Sequence, residues 1–346
     1  MECAACDGAL PRSAFSGNQA RKPSSERRCK ACVFASAAAA GASKPASMSR
    51  QLREQAAALA APTMELVDIG INLTNRQFKR DWEAVVRRAR AAGVVSMLLT
   101  GTSVKESRAA LGLAQAWYDA DGAAAPLLRT TVGIHPHDAS TFDASGASLR
   151  EMRAMLSDPL ACAVGECGLD YNRMHSPKAA QLAAFRAQVE LACELDLPVF
   201  VHEREAHDDL IAVLDSVAAA AAAAAAPRAA SAARRSEGLP PIVVHCFTGT
   251  LAEARAYIDR GFYIGFTGTI CKQQRGAPLR AILPHLPLAR LMVETDAPFM
   301  GFVKGRRRSE PADVVGVAEA MADAMGLEHA AVAAATTANA RAFFRL

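Results

Sequence analysis

The feature that most constrains this chain is a repeated device: a short apolar run that ends in a carboxylate or an imidazole. Ala163-Val164-Gly165 leads into Glu166, and Cys167-Gly168-Leu169-Asp170 follows as a glycine-containing turn. Thr130-Thr131-Val132-Gly133-Ile134 leads into His135, Leu197-Pro198-Val199-Phe200-Val201 into His202, and Pro241-Ile242-Val243-Val244 into His245. Arg290-Leu291-Met292-Val293-Glu294-Thr295 leads into Asp296. Apolar runs without alternation are strands covered on both faces. Five such strands deliver three His, one Glu and one Asp to their C-terminal tips. That end of the strands is where an α/β barrel keeps its chemistry. Imidazole with carboxylate is a ligand set for Zn, Mn or Fe, and for Mg when more oxygen and water join it.

The rest of the chain sets these strands in an alternating frame. Strands are predicted near 65–70, 94–100, 129–134, 161–166, 197–202, 241–245, 261–266 and 290–295. Helical patterns lie between them, at Trp82–Ala92, Lys105–Tyr118, Leu149–Leu156, Pro177–Leu195, Ala206–Val217, Leu251–Arg260 and Pro311–Met325. The alternation predicts an α/β chain, a (β/α)8 TIM barrel over 64–346 with a small N-terminal cysteine-rich module. An open doubly wound sheet would not converge strand tips 3, 4, 5, 6 and 8 on one point. Residues 218–240 are a low-complexity insertion, with the alanine tract Ala218–Ala226 followed by a Ser/Arg/Pro-rich stretch. Alanine is the best helix former, so the helix over 206–217 is expected to run on into that tract, on the face away from the site.

Charge limits how such a chain can meet nucleic acid. Its net charge of +4 is uneven: residues 1–63 hold nine Lys/Arg against four Asp/Glu, and the remainder holds 30 against 31. The barrel region is therefore no polycation, and it must hold any nucleic acid by local groups. Nothing reads as a membrane span, and Met1-Glu2-Cys3 opens no secretory signal. Nine cysteines, most of them in strand or motif context, suit a reducing compartment, cytoplasmic or nuclear.

Residues 1–35 carry Cys3-x-x-Cys6 and Cys29-x-x-Cys32, with 22 residues between the pairs. Four thiolates on two tight turns are the ligand set of a structural zinc. The segment also resembles small modules with a Phe-Ser-x-Asn-Gln core and a final Arg-Cys-x-x-Cys, found in eukaryotic chromatin and RNA-silencing adaptors. That resemblance implies a contact role toward a protein or nucleic-acid partner. Residues 36–63 are an Ala/Ser-rich linker by composition.

The region 64–346 resembles the TatD family of metal-dependent deoxyribonucleases, within the amidohydrolase-like barrels. The matching pieces are Asp68-Ile69-Gly70-Ile71-Asn72-Leu73-Thr74, Gly133-Ile134-His135-Pro136-His137, Gly165-Glu166-Cys167-Gly168-Leu169-Asp170 and Val201-His202-x-Arg204. They continue through His245-Cys246-Phe247-Thr248-Gly249, Glu294-Thr295-Asp296-Ala297-Pro298, Arg308-Ser309-Glu310-Pro311 and Thr336-Thr337-x-Asn339-Ala340. The resemblance implies that Glu166, His202, His245 and Asp296 hold the metal. It puts His135 and Arg204 near the metal or the phosphate, and leaves Asp296 either to ligate or to deprotonate the attacking water. Many relatives read Asp-x-His-x-His on the first strand. Here Asp68-x-Gly70-x-Asn72 stands there, which leaves only oxygen ligands for a second, weak cation. His137 reads equally as a turn-capping residue and as a substrate contact. Cys167 and Cys246 read as core. The run Lys304-Gly305-Arg306-Arg307-Arg308 reads as a solvated face or as a phosphate-backbone contact.

The implied function is hydrolysis of DNA phosphodiester bonds by metal-activated water, with 3′-to-5′ exonuclease action on single strands and RNA as a further substrate. Mg is the first metal expected, with Mn and Zn as alternatives. Two other readings remain at this point. The same tips suit hydrolysis of a C–N or ester bond in a small molecule, and a non-catalytic adaptor would work through residues 1–35.

Overall fold

The structure is a computed structural model that describes residues 64–121, 127–143, 145–224 and 238–346. Cys3, Cys6, Cys29, Cys32, the linker and most of the insertion lie outside the described residues, all of which belong to one compact unit, Pro62–Leu346. Eight strands pair in sequence order, every pair parallel: β1 (Leu66–Ile71), β2 (Val94–Leu99), β3 (Leu127–Val132), β4 (Ala161–Asp170), β5 (Val199–Arg204), β6 (Ile242–His245), β7 (Tyr263–Phe266) and β8 (Leu291–Val293). Helices alternate with them: α1 (Trp82–Ala91), α2 (Val104–Asp121), α3 (Ala147–Leu156), α4 (Lys178–Leu195), α5 (His207–Ala224), α6 (Leu251–Asp259), α7 (Ala277–Ile282), α8 (Val314–Met325) and α9 (His329–Phe344). This is the expected (β/α)8 barrel. No described helix is long and apolar enough to cross a membrane. Helix α5 does run into the alanine tract, as far as Ala224.

Two buried layers explain the unalternated strands. One apolar cluster fills the barrel with Val67, Ile69, Leu98, Cys162, Phe200, Val243 and Met292, and α9 adds Phe343 and Phe344 to it. The other packs the outward strand faces against the helices, as Val85, Val86 and Ala89 of α1 do. A strand between two such layers has no solvent side and needs no polar alternation.

The barrel closes where β1 meets the chain just beyond β8. Asp296 donates its N–H to the Gly70 carbonyl at 2.8 Å, and Ile71 bridges Ala297. Asp68 fastens this seam: its carboxylate accepts the Thr295 N–H at 2.9 Å and the Thr295 hydroxyl at 2.6 Å. Burial raises the Asp68 carboxyl well above its ordinary value. Asp68 is thus a buried fastener of the seam.

The structure departs from expectation at Cys167–Asp170. The expected turn is absent, and β4 continues through it to Asp170. Gly168 permits this, because it takes φ 143° and a Cβ there would overlap the His202 carbonyl oxygen. The strand therefore carries two chemical groups, Glu166 and Asp170, to the same end of the barrel.

Candidate active site

One oxygen organises the site. Glu166 Oε1 lies 2.7 Å from His245 Nε2, 3.0 Å from His202 Nδ1 and 3.1 Å from His135 Nε2. Ligand atoms of His135, Glu166 and His202 all fall within 4.8 Å of one another, close enough to hold one metal ion. Glu166, His245 and His135 are buried, at 5%, 3% and 8% exposure. Three imidazoles on a buried carboxylate are an arrangement that a divalent cation fits by donor type. Asp296 sits beside this cluster, outside the trio, and its Oδ1 accepts the Asn72 side-chain amide at 2.8 Å. The structure thus brings His135 into ligand range and leaves Asp296 at the edge.

A ring of further groups orients these side chains. Asp170 Oδ2 lies 3.3 Å from His202 Nε2 and 2.9 Å from His137 Nε2. Glu294 Oε2 lies 3.3 Å from His245 Nδ1, and its other oxygen accepts the Cys246 N–H. Carboxylates on the far nitrogen of a ligand imidazole fix its ring and raise its basicity. Phe200 stacks under His245 with 4.3 Å between ring centroids. Asp170 and Glu294 stand inside the sequence motifs without an expected role there. Their signal was a carboxylate two or four places from a candidate ligand on the same strand end.

Helix α4 places two of these groups through buried amides. Gln188 accepts the Ile134 N–H at 2.7 Å and donates to the Ile134 carbonyl at 3.0 Å, which fixes the backbone just before His135. Gln181 does the same for Asp170, at 2.8 and 3.1 Å. The seven-residue spacing puts both amides on one face, two turns apart. Two glutamines at that spacing in an otherwise apolar helix face were the legible, unused signal.

Electrostatics follows from burial and crowding. Burial alone would raise the Glu166 carboxyl, but the facing His245 and His135 outweigh it and hold it well below its ordinary value. Burial opposes charge on His245, yet Glu166 and Glu294 raise it well above its ordinary value. His202 is likewise raised, with Asp170 and Glu166 overcoming burial. Asp296 is pushed up to about 7 by burial and by the Glu166 and Glu294 charges, with His245 opposing. His137 is lowered by burial and by the neighbouring His135.

The remaining expected residues divide. Arg204 ends β5 beside Asp170, and its guanidinium has no hydrogen-bond or ion-pair partner among the described residues. Cys167 is fully buried, as expected, whereas Cys246 is half-buried at left-handed φ beside Asp296 and is no simple core residue. Gly70 faces inward, and a Cβ there would come within 2.5 Å of Glu294 Oε2, so a side chain at that position would have to displace the Glu294 carboxylate.

A barrel with buried imidazoles and carboxylates at its strand tips defines the class of cation-dependent barrel hydrolases. Comparison with known proteins is more specific. Residues 67–345 match the model of the TatD related DNase family. The chain is 40% identical over 286 residues to the 3′-5′ ssDNA/RNA exonuclease TatD of Salmonella typhimurium, covering 81% of this chain and 99% of that one. It is 42% identical to the protein of that name from Edwardsiella piscicida, over 81% of this chain and all of the other. Among solved structures, a TatD homologue from Escherichia coli superposes with TM-score 0.68 at 27% identity, covering 81% and 98% of the two chains. A TatD-family hydrolase from Entamoeba histolytica superposes with TM-score 0.70 at 22% identity, which speaks to the fold. This chain belongs to the TatD related DNase family. It is a metal-dependent nuclease, a hydrolase of phosphodiester bonds, and of the three readings of its sequence the nuclease stands.

Proposed function

We propose that the chain removes nucleotides from the 3′ ends of single-stranded DNA, with RNA as a second substrate. A divalent cation, Mg before Mn or Zn, would be held by Glu166, His202, His245 and Asp296, with His135 within reach of the same point. The observation that carries this reading is the convergence of three imidazoles on Glu166 Oε1, and the names of the relatives add the polarity and the substrate. When bound, the cation supplies charge neutralisation of the phosphodiester and acidifies a water.

The chain's own residues do the rest. Asp296, buried beside Glu166 and His245, would either join the ligands of the cation or take the proton of the attacking water. His135 and Arg204, whose guanidinium is unpaired among the described residues, would face the phosphate and meet the charge that develops on its oxygens. Asp170 and Glu294 hold His202 and His245 against rotation. The five described free cysteines fit a reducing cytoplasm or nucleus.

The test is end-labelled single strands given to full-length protein stripped with chelator and then reloaded. With Mg, a 3′-labelled strand should release labelled mononucleotide at once, while a 5′-labelled strand shortens stepwise. The opposite order would overturn the polarity.

Cys3, Cys6, Cys29 and Cys32 we assign to one structural zinc. Elemental analysis should find one zinc fewer per chain in the Cys29→Ser, Cys32→Ser variant, and equal zinc would refute the assignment.

A further inference from the structure

The loop after β8 carries a feature that the reaction chemistry does not use. Phe299, three residues beyond Asp296, leaves 47% of its surface exposed. The loop that presents it is held in place. Phe299 donates its N–H to the Asp296 carbonyl at 2.9 Å, and Ser309 donates to the Pro298 carbonyl at 3.0 Å. Asp296 and Met300, which flank Phe299 in sequence, adopt left-handed φ of 53° and 52°. Non-glycine residues rarely take that conformation, and they gather at sites where a side chain must be aimed.

Beside the ring lies a cleft of about 160 Å³, lined by Phe299, Met300 and the arginines of the basic run. Those cations are not equivalent. Arg306 pairs with Asp313 at 2.7 Å, and Arg308 pairs with Asp81 at 2.6 Å and Glu310 at 3.1 Å. Arg307 and Lys304 are exposed and have no ion pair among the described residues. The expected phosphate contact of the run therefore narrows to Arg307 and Lys304.

We propose that Phe299 and Arg307 form a nucleotide subsite, in which a base next to the scissile bond stacks on the Phe299 ring and its phosphate pairs with Arg307. The inference rests on the nuclease reading and deepens it. An aromatic face next to an unpaired guanidinium is the minimal recognition unit for unpaired nucleic acid. Every base offers a π-face, so the contact tolerates sequence, and a base locked in a duplex cannot reach the ring. The subsite thus gives a physical cause for preferring single strands in a barrel with no general positive charge.

The test compares native, Phe299→Ala and Phe299→Trp full-length proteins, loaded with Mg, on a short single strand and on two strands with an abasic site, one terminal and one penultimate. Phe299→Ala should raise KM about tenfold on the intact strand, in line with base–aromatic stacking. Phe299→Trp should keep KM near native. On one of the two abasic strands the native-to-variant difference should collapse. Arg307→Gln should raise KM on all three strands and weaken its dependence on salt. A rise in KM that persists on both abasic strands, or no rise in Phe299→Ala, overturns the subsite. A native protein that degrades none of the strands overturns the nuclease reading beneath it, a different result.

Discussion

Glu166 Oε1 sits among three imidazole nitrogens at hydrogen-bond distance, and that crowding decides how the site behaves before a cation enters it. His202 and His245 are raised, so each keeps its proton to a higher pH than a free imidazole does, and burial pushes Asp296 up to about 7. Each of those protons occupies a position that a ligand atom needs, so loading a cation releases them. The sign for stability follows. A raised histidine stabilises the fold below its ordinary value of 6.5, and this is lost as pH rises through the folded value. The raised Asp296 acts in the same direction, because the unfolded chain gives up that proton at a much lower pH. Glu166, held low, opposes unfolding only above the acid range. Melting of chelator-treated protein should therefore fall between pH 6 and pH 8, and saturating Mn should abolish the fall. A melting temperature that rises over that interval without cation would show that these imidazoles are not held charged.

At the scale of elements, β4 and α4 carry most of the site's order. β4 brings Glu166 and Asp170 to one end because glycine lets the strand pass close to β5. Helix α4 then fixes the backbone before His135 with Gln188 and that of Asp170 with Gln181. Gln188→Ala strands a buried N–H and a buried carbonyl at Ile134, a loss of about 1–3 kcal/mol for each unsatisfied group. It should lower unfolding free energy by that order in urea melts, and lower kcat about 10–100-fold, as expected when support around a metal site is lost. Native kcat in the variant would mean that His135 needs no such support. Much of this layer was legible in the sequence. The eight strands and seven of the helices stand near their expected positions, because double-sided burial leaves unalternated runs that survive inspection. Glu166, His202 and His245 were legible as strand-end groups for the same reason. The continuation of β4 was not, since a glycine that makes a turn and a glycine needed for close strand approach look identical in one dimension. Only the partner strand at His202 tells Cys167-Gly168 from a turn. The part Asp68 plays in the seam was not legible, because its partner, Thr295, is 227 residues away along the chain and meets it only on closure.

The whole molecule places a buried, cation-fitting cluster at one end of a barrel whose 64–346 region holds 30 basic and 31 acidic residues. Without a global positive field, affinity for a polyanion must come from the site itself and its rim. The cation is then part of the binding surface as well as of the chemistry, and binding and turnover should be lost together when the cluster is broken. The measurement that tests this most directly is Mn binding by calorimetry, paired with single-turnover release of nucleotide, in the native protein and in Glu166→Ala. The account predicts that Glu166→Ala keeps a cooperative melting transition, loses the tight Mn site, and releases no nucleotide at any Mn concentration that saturates the native protein. Undiminished Mn affinity or undiminished release in that variant would contradict it.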